Sequence, residues 1–197
     1  MHIKELDRAA VLASVAVATR VTDADLSRPT PCTEWTVANL LTHMAVQHRG
    51  FAAAARGERA DWRLPAPAPD PVADYLAAGA DVLIAFREAG SALLLPEIRE
   101  QPFPAEQAMA FHFIDYVVHA WDLARAIGTD VPLDDTVLAP AWEVARQVPD
   151  GEERRRPGAA FQPGVAVQPG VAARQSAARD GALLDRIVAT LGRDPAW

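Results

Sequence analysis

The chain has 197 residues, with 19 basic against 26 acidic side chains and a formal net charge of −7. That length suits one domain with a real hydrophobic core, and the acidic balance argues against nucleic acid, whose phosphates want a basic face. No stretch approaches the roughly 18 apolar residues of a membrane span, so no membrane partner is expected. Cys32 is the only cysteine, which rules out an internal disulfide and fits a reducing cytoplasm. The first ten residues, MHIKELDRAA, carry no long apolar run and do not read as a signal peptide. Heavy use of Ala, Arg and Pro, with Lys4 the single lysine, suggests a GC-rich bacterial genome.

Helical periodicity dominates, and alternating strand patterns are scarce. A first helix is predicted over about Ile3–Arg20, with Ile3, Leu6, Ala10 and Val17 on its apolar face. A loop with two prolines follows. Thr36 then reads as an N-cap, with Trp35 and Leu40 placed for a hydrophobic staple. Val37, Leu40, Leu41, Met44 and Phe51 form the apolar stripe of that second helix. Residues 57–69 read as a polar, then proline-rich linker. Asp70-Pro71 opens a third helix, with Asp as cap and Pro in the first helical position, and it stops near Gly90. Pro104 opens a fourth, which runs to about Ile127 and ends at Gly128. A fifth, about Asp134–Val148, contains Pro140 as a kink or a delayed start. The run GEERRRPG reads as an exposed loop. The pentapeptide QPGVA occurs at 162–166 and again at 168–172, and reads as extended because of its Pro-Gly pairs. A last helix, about Gly181–Leu191, is closed by Gly192. The expected fold is an all-α, four-helix bundle with additional short C-terminal helices and an extended C-terminal segment. Residues 1–150 form the metal-binding bundle; 151–197 form a loop, an extended segment and a closing helix on the same domain.

The fourth helix carries the chemistry. Most of its residues are apolar, but His112, Asp115, His119 and Asp122 are spaced 3, 4 and 3. They fall within roughly 80° of arc at 3.6 residues per turn. The plain reading of such a seam is a solvated helix face. Two histidines, where a surface stripe would hold Glu, Lys and Arg, favour a site instead. Asp115 and His119 sit four apart, one turn above the other on one face, and can chelate one divalent ion. A histidine from a facing helix would complete a three-ligand set with coordination positions left open. Spacing does not choose between His43, at the border of its apolar stripe, and His48, nearer the middle. His112 and His48 stand as additional ligands or supporting residues. Asp122 is read either as orienting a ligand imidazole or as the i,i+3 partner of Arg125. Cys32 is read as a small packed hydrophobe, Trp35 and Trp121 as core anchors, Arg49 and Arg56 as solvent-facing, and Arg154-Arg155-Arg156 as part of a solvated loop.

The stretches PCTEWTVANLLTHM (31–44) and FHFIDYVVHAWDLARAIG (111–128), with the closing LLDRIVATLGRDPAW (183–197), resemble the DinB-like metalloprotein superfamily. The likeness is to the actinobacterial branch related to the N-terminal, metal-binding domain of mycothiol-dependent maleylpyruvate isomerase. The resemblance implies a DinB-like bundle holding one divalent ion, commonly Zn2+, on a histidine of the second helix and an acid/His-x-x-x-His pair of a later one. Carried over, the ligands are His43, Asp115 and His119. It implies a thiol substrate, mycothiol, whose metal-bound thiolate attacks a small electrophile, hence a transferase or isomerase. Two features depart from the isomerase. Asp115 stands where it has Glu, one methylene longer. The tail after about 150 is too short for the isomerase's further C-terminal domain, so activity on maleylpyruvate is not carried over. Two His and one carboxylate also serve Ni2+, Fe2+ and Mn2+. Competing readings are a zinc hydrolase and a non-enzymatic metal- or ligand-binding stress protein. A homodimer is left open.

Overall fold

Each helix of the first half starts where a side chain satisfies the orphan N–H groups of its first turn. In helix α1 (Ile3–Ala18) the His2 ring accepts from the Lys4 N–H while Glu5 reaches back to the His2 N–H. In α2 (Val37–Ala55) Thr36 and Asn39 cap one another reciprocally. In α3 (Pro71–Glu88) the Asp70 carboxylate accepts from the Ala73 N–H, and Pro71 fills the first position. Helix α4 (Ala105–Ile127) follows Pro104 and ends at Gly128, whose φ of 74° is the left-handed stop that glycine adopts without strain.

The computed structural model describes residues 1–32, 35–155, 161–165 and 179–197. They fall into two compact units, Met1–Val131 and Pro132–Trp197. In the first unit α1 packs chiefly on α4, and α2 on α3; α1–α3 and α2–α4 contacts close a four-helix bundle. Its core is built from Leu40, Leu41, Met44, Val82, Met109, Phe113, Val117 and Leu123, all fully or almost fully buried. The all-α expectation holds with one addition. Between α3 and α4 lies a two-residue antiparallel ladder, β1 (Ala92–Leu93) with β2 (Phe103–Pro104). No alternation is long enough to announce it. Leu93, Leu95 and Phe103 turn inward onto Phe51, Phe86 and Met109, so burial rather than strand propensity fixes it.

In the second unit α5 (Asp135–Ala145) runs through Pro140 and packs against α6 (Arg179–Thr190). The charged run at 152–156 is not simply a solvated loop. Glu152–Arg155 forms a 3-10 turn, and Arg154 is only 3% exposed. Its guanidinium donates to the carbonyls of Val148, Pro149, Gln162 and Thr190. Carbonyls beyond the last turns of α5 and α6 need donors, and the five-donor fork supplies them. The second QPGVA copy, the end of the first, and Arg156 lie outside the described residues.

Candidate metal centre

His119 lies in the middle of α4 and is 3% exposed. One turn earlier, Asp115 places Oδ1 3.4 Å from His119 Nε2. On the other side of the ring, Nδ1–H donates to Asp122 Oδ2 at 3.0 Å. Asp122 is fully buried. This hydrogen bond fixes the ring so that Nε2 faces Asp115. His43 reaches the same place from α2: its ring lies 5.1 Å from that of His119, edge to face. Trp35 backs His43 at 4.6 Å. One ligand atom each from His43, Asp115 and His119 lie within 4.8 Å of one another. His43 and Asp115 are half-buried, so the cluster has a buried floor and a side that solvent reaches.

The electrostatics suit a cation. Burial opposes a charged His119, yet Asp115, Asp122 and Cys32 together hold its proton affinity well above the ordinary imidazole range. The surroundings are thus built to stabilise positive charge on that ring. A divalent ion could exploit the same field, with Nε2, Asp115 and His43 as its donors. A carboxylate buried beside imidazoles costs less when a proton or a cation lies between them.

Two side chains join this picture that sequence reasoning did not bring there. Glu97, on the loop after β1, has its carboxyl pushed up to about 7, first by desolvation and then by the charge of Asp115. It lies outside any periodic element, so no spacing could have flagged it. Cys32 is not merely packed: its Sγ lies 3.2 Å from Asp122 Oδ2.

His48 and His112 do not enter the cluster. His112 Nδ1 is 2.5 Å from Asp7 Oδ1 on α1, and His112 Nε2 is 3.0 Å from His48 Nδ1. All three residues are fully buried. His48 is stacked on Tyr116 at 4.0 Å and 8° and also on Tyr75. Burial, then the charges of His112 and Arg49, push its proton affinity well down. The helix that carries both candidates has one histidine at the site and one in the core, five residues apart. Asp122 lies against His119, accepting from its Nδ1–H. Trp121 is core, 5% exposed. Arg49 and Arg56 are surface residues paired with Asp74 and Asp81 of α3.

Among the described residues no helix is long and apolar enough to cross a membrane. Two curated, uncharacterized proteins of Mycobacterium tuberculosis, from strains CDC 1551 and H37Rv, are each 28% identical over 181 residues. The match spans 92% of this chain and 92% of theirs. Two crystal structures of mycothiol-dependent maleylpyruvate isomerase share the fold at 16% identity. One, of a histidine-to-alanine mutant, has a TM-score of 0.54 over 70% of this chain and 65% of that one, just under two thirds of its length. The other has a TM-score of 0.53 over 77% and 71%. The sequence also matches the family model of the mycothiol maleylpyruvate isomerase N-terminal domain over residues 8–124, more than half of its length, and the chain therefore belongs to that family.

Proposed function

We propose that this protein is a metal-dependent transferase or isomerase that uses a low-molecular-weight thiol, mycothiol, against a small electrophilic molecule in the cytoplasm. The observation that carries the reading is the convergence of His43, Asp115 and His119 from two helices, with the far nitrogen of His119 already engaged by Asp122. Family membership supports the choice of thiol. Two imidazoles and one carboxylate suit Zn2+, and Ni2+, Fe2+ or Mn2+ would take the same donors. Such an ion supplies Lewis acidity that makes a thiol presented to it a thiolate near neutral pH. The chain's own residues do the rest. His43 and Asp115 leave the approach open on their half-exposed side. Asp122 keeps His119 from rotating. Trp35 screens one side of His43.

The test is loss of free thiol when the zinc-loaded protein meets mycothiol and a panel of activated alkenes and epoxides. Thiol consumption is expected with metal and absent after chelation or in His43→Ala. Ester or amide cleavage without thiol loss would favour the hydrolytic reading. Metal retained equally by His43→Ala would remove that residue from the site.

A further inference from the structure

We propose that Cys32 is a positioning residue for the metal centre, acting on His119 from its own place beside the ring and through Asp122; the inference rests on the metal reading above. The thiol and the imidazole meet on one atom. Cys32 S–H and His119 Nδ1–H both donate to Asp122 Oδ2, at 3.2 and 3.0 Å. A carboxylate in a fully buried position has two ways to turn, and two converging donors leave it one. With Oδ2 fixed, the ring of His119 is fixed and its Nε2 stays aimed at Asp115 and His43.

The loop before α2 is built to deliver the thiol. The Cys32 carbonyl accepts from the Thr30 hydroxyl and from the Trp35 N–H, each at 3.0 Å. Thr30 N–H donates to the Trp35 carbonyl, and Pro29 and Thr36 form an antiparallel bridge. Trp35, clamped in this way, is the same residue whose ring packs, tilted by 47°, against His43. One short loop therefore touches both histidines of the site, His43 through Trp35 and His119 through Cys32 and Asp122. Cys32, His119 and Asp122 also bring one ligand atom each within 4.8 Å. The thiol could instead be read as a metal ligand itself. The geometry favours positioning, because His119 cannot present the same lone pair to both faces. Its Nδ1 carries the proton that Asp122 accepts.

Cobalt(II) as a spectroscopic probe separates these outcomes. Affinity is measured by competition with a chromophoric chelator in wild type, Cys32→Ala, Cys32→Ser and His43→Ala, with circular dichroism to establish that each is folded. Cys32→Ala is expected to weaken cobalt about tenfold, the low end of the 10–100-fold typical of residues that orient a ligand. Cys32→Ser keeps a hydrogen-bond donor and is expected to recover most of that loss, which a residue that only fills space would not show. Asp122→Asn is expected to weaken cobalt at least as much. Cobalt binding unchanged in Cys32→Ala, while His43→Ala loses it, overturns this inference and leaves the metal reading intact. A sulfur-to-cobalt charge-transfer band in wild type also overturns it, since Cys32 would then be a ligand. Wild type that binds no cobalt overturns both.

Discussion

Tyr116 and Met44 join the two helices that carry the site: the buried Tyr116 hydroxyl of α4 donates to the Met44 carbonyl of α2. Tyr116 is the neighbour of Asp115, and Met44 is the neighbour of His43. A single bond thus locks α2 against α4 at the level where the candidate ligands meet. Tyr116→Phe is expected to lower stability by about 1 kcal/mol, the net worth of one buried hydrogen bond. It is also expected to weaken metal binding, because the two ligand-bearing helices lose their register. A urea midpoint reduced at unchanged slope, together with a chelator competition, checks both effects. Full metal affinity in a destabilised Tyr116→Phe would dissociate register from the site.

Metal loading itself gives a stability readout. An ion that binds only the folded chain stabilises it by about 2.7 kcal/mol at one hundred times its dissociation constant. Zinc is expected to raise the melting temperature of wild type and to leave that of His43→Ala where it was. Asp115→Glu supplies the same carboxylate with one more methylene, and is expected to keep a metal-dependent shift. A zinc shift of equal size in His43→Ala would point to binding elsewhere.

The core histidine makes stability depend on pH, and the sign follows from its depressed proton affinity. His48 is neutral when folded, because burial and the charges of His112 and Arg49 oppose its protonation. Unfolded, it takes up a proton near its ordinary value of 6.5. The unfolded state therefore binds more protons below that pH, and the His48 contribution is complete above about pH 6.5 and is lost as pH falls. His119 in the metal-free protein acts in the opposite sense, since its affinity is raised. The comparison that isolates His48 is wild type against His48→Asn. The stability advantage of wild type is expected to shrink steadily as pH falls from 7.5 to 5. A pH-independent difference would show that His48 is not titrating on unfolding.

Arg154 offers a test in the second unit. Its guanidinium meets four carbonyls contributed by the chain after α5, the segment at 162 and the end of α6. Arg154→Met is expected to cost about 3 kcal/mol, because four part-buried acceptors lose one charged donor together. Arg154→Lys is not expected to rescue it, since an ammonium cannot span four acceptors in the geometry of a planar fork. Faster amide exchange along α6 would report the loss. Unchanged exchange in Arg154→Met would mean that the carbonyls find other donors.

The helices were legible because their ends carry side-chain chemistry: Thr36, Asp70-Pro71 and Gly128 each mark a boundary the structure keeps. The pair Asp115 and His119 was legible for the same local reason, a separation of one helical turn. The partner on α2 was legible only through the family resemblance, not from spacing. His43 borders the apolar stripe and His48 lies nearer its middle, and only the packing of α2 on α4 separates a half-exposed ring from a fully buried one. Cys32 and Glu97 sit on loops, where spacing carries no facing information. Arg154 looked like one member of a solvated charge run because burial of a guanidinium depends on carbonyls far along the sequence.

The interior trio of Asp7, His112 and His48 also has a direction. A carboxylate only accepts, so Asp7 obliges His112 to donate from Nδ1. Its other ring nitrogen, Nε2, shares a hydrogen bond with His48 Nδ1 at 3.0 Å. The far nitrogen of His48, Nε2, finds no hydrogen-bond partner and lies against Gly79. One acid on the first helix thereby orients, through a single hydrogen-bonded chain, two rings on two other helices. Exchanging Asp7 for its amide would remove that instruction, because an amide can donate as well as accept.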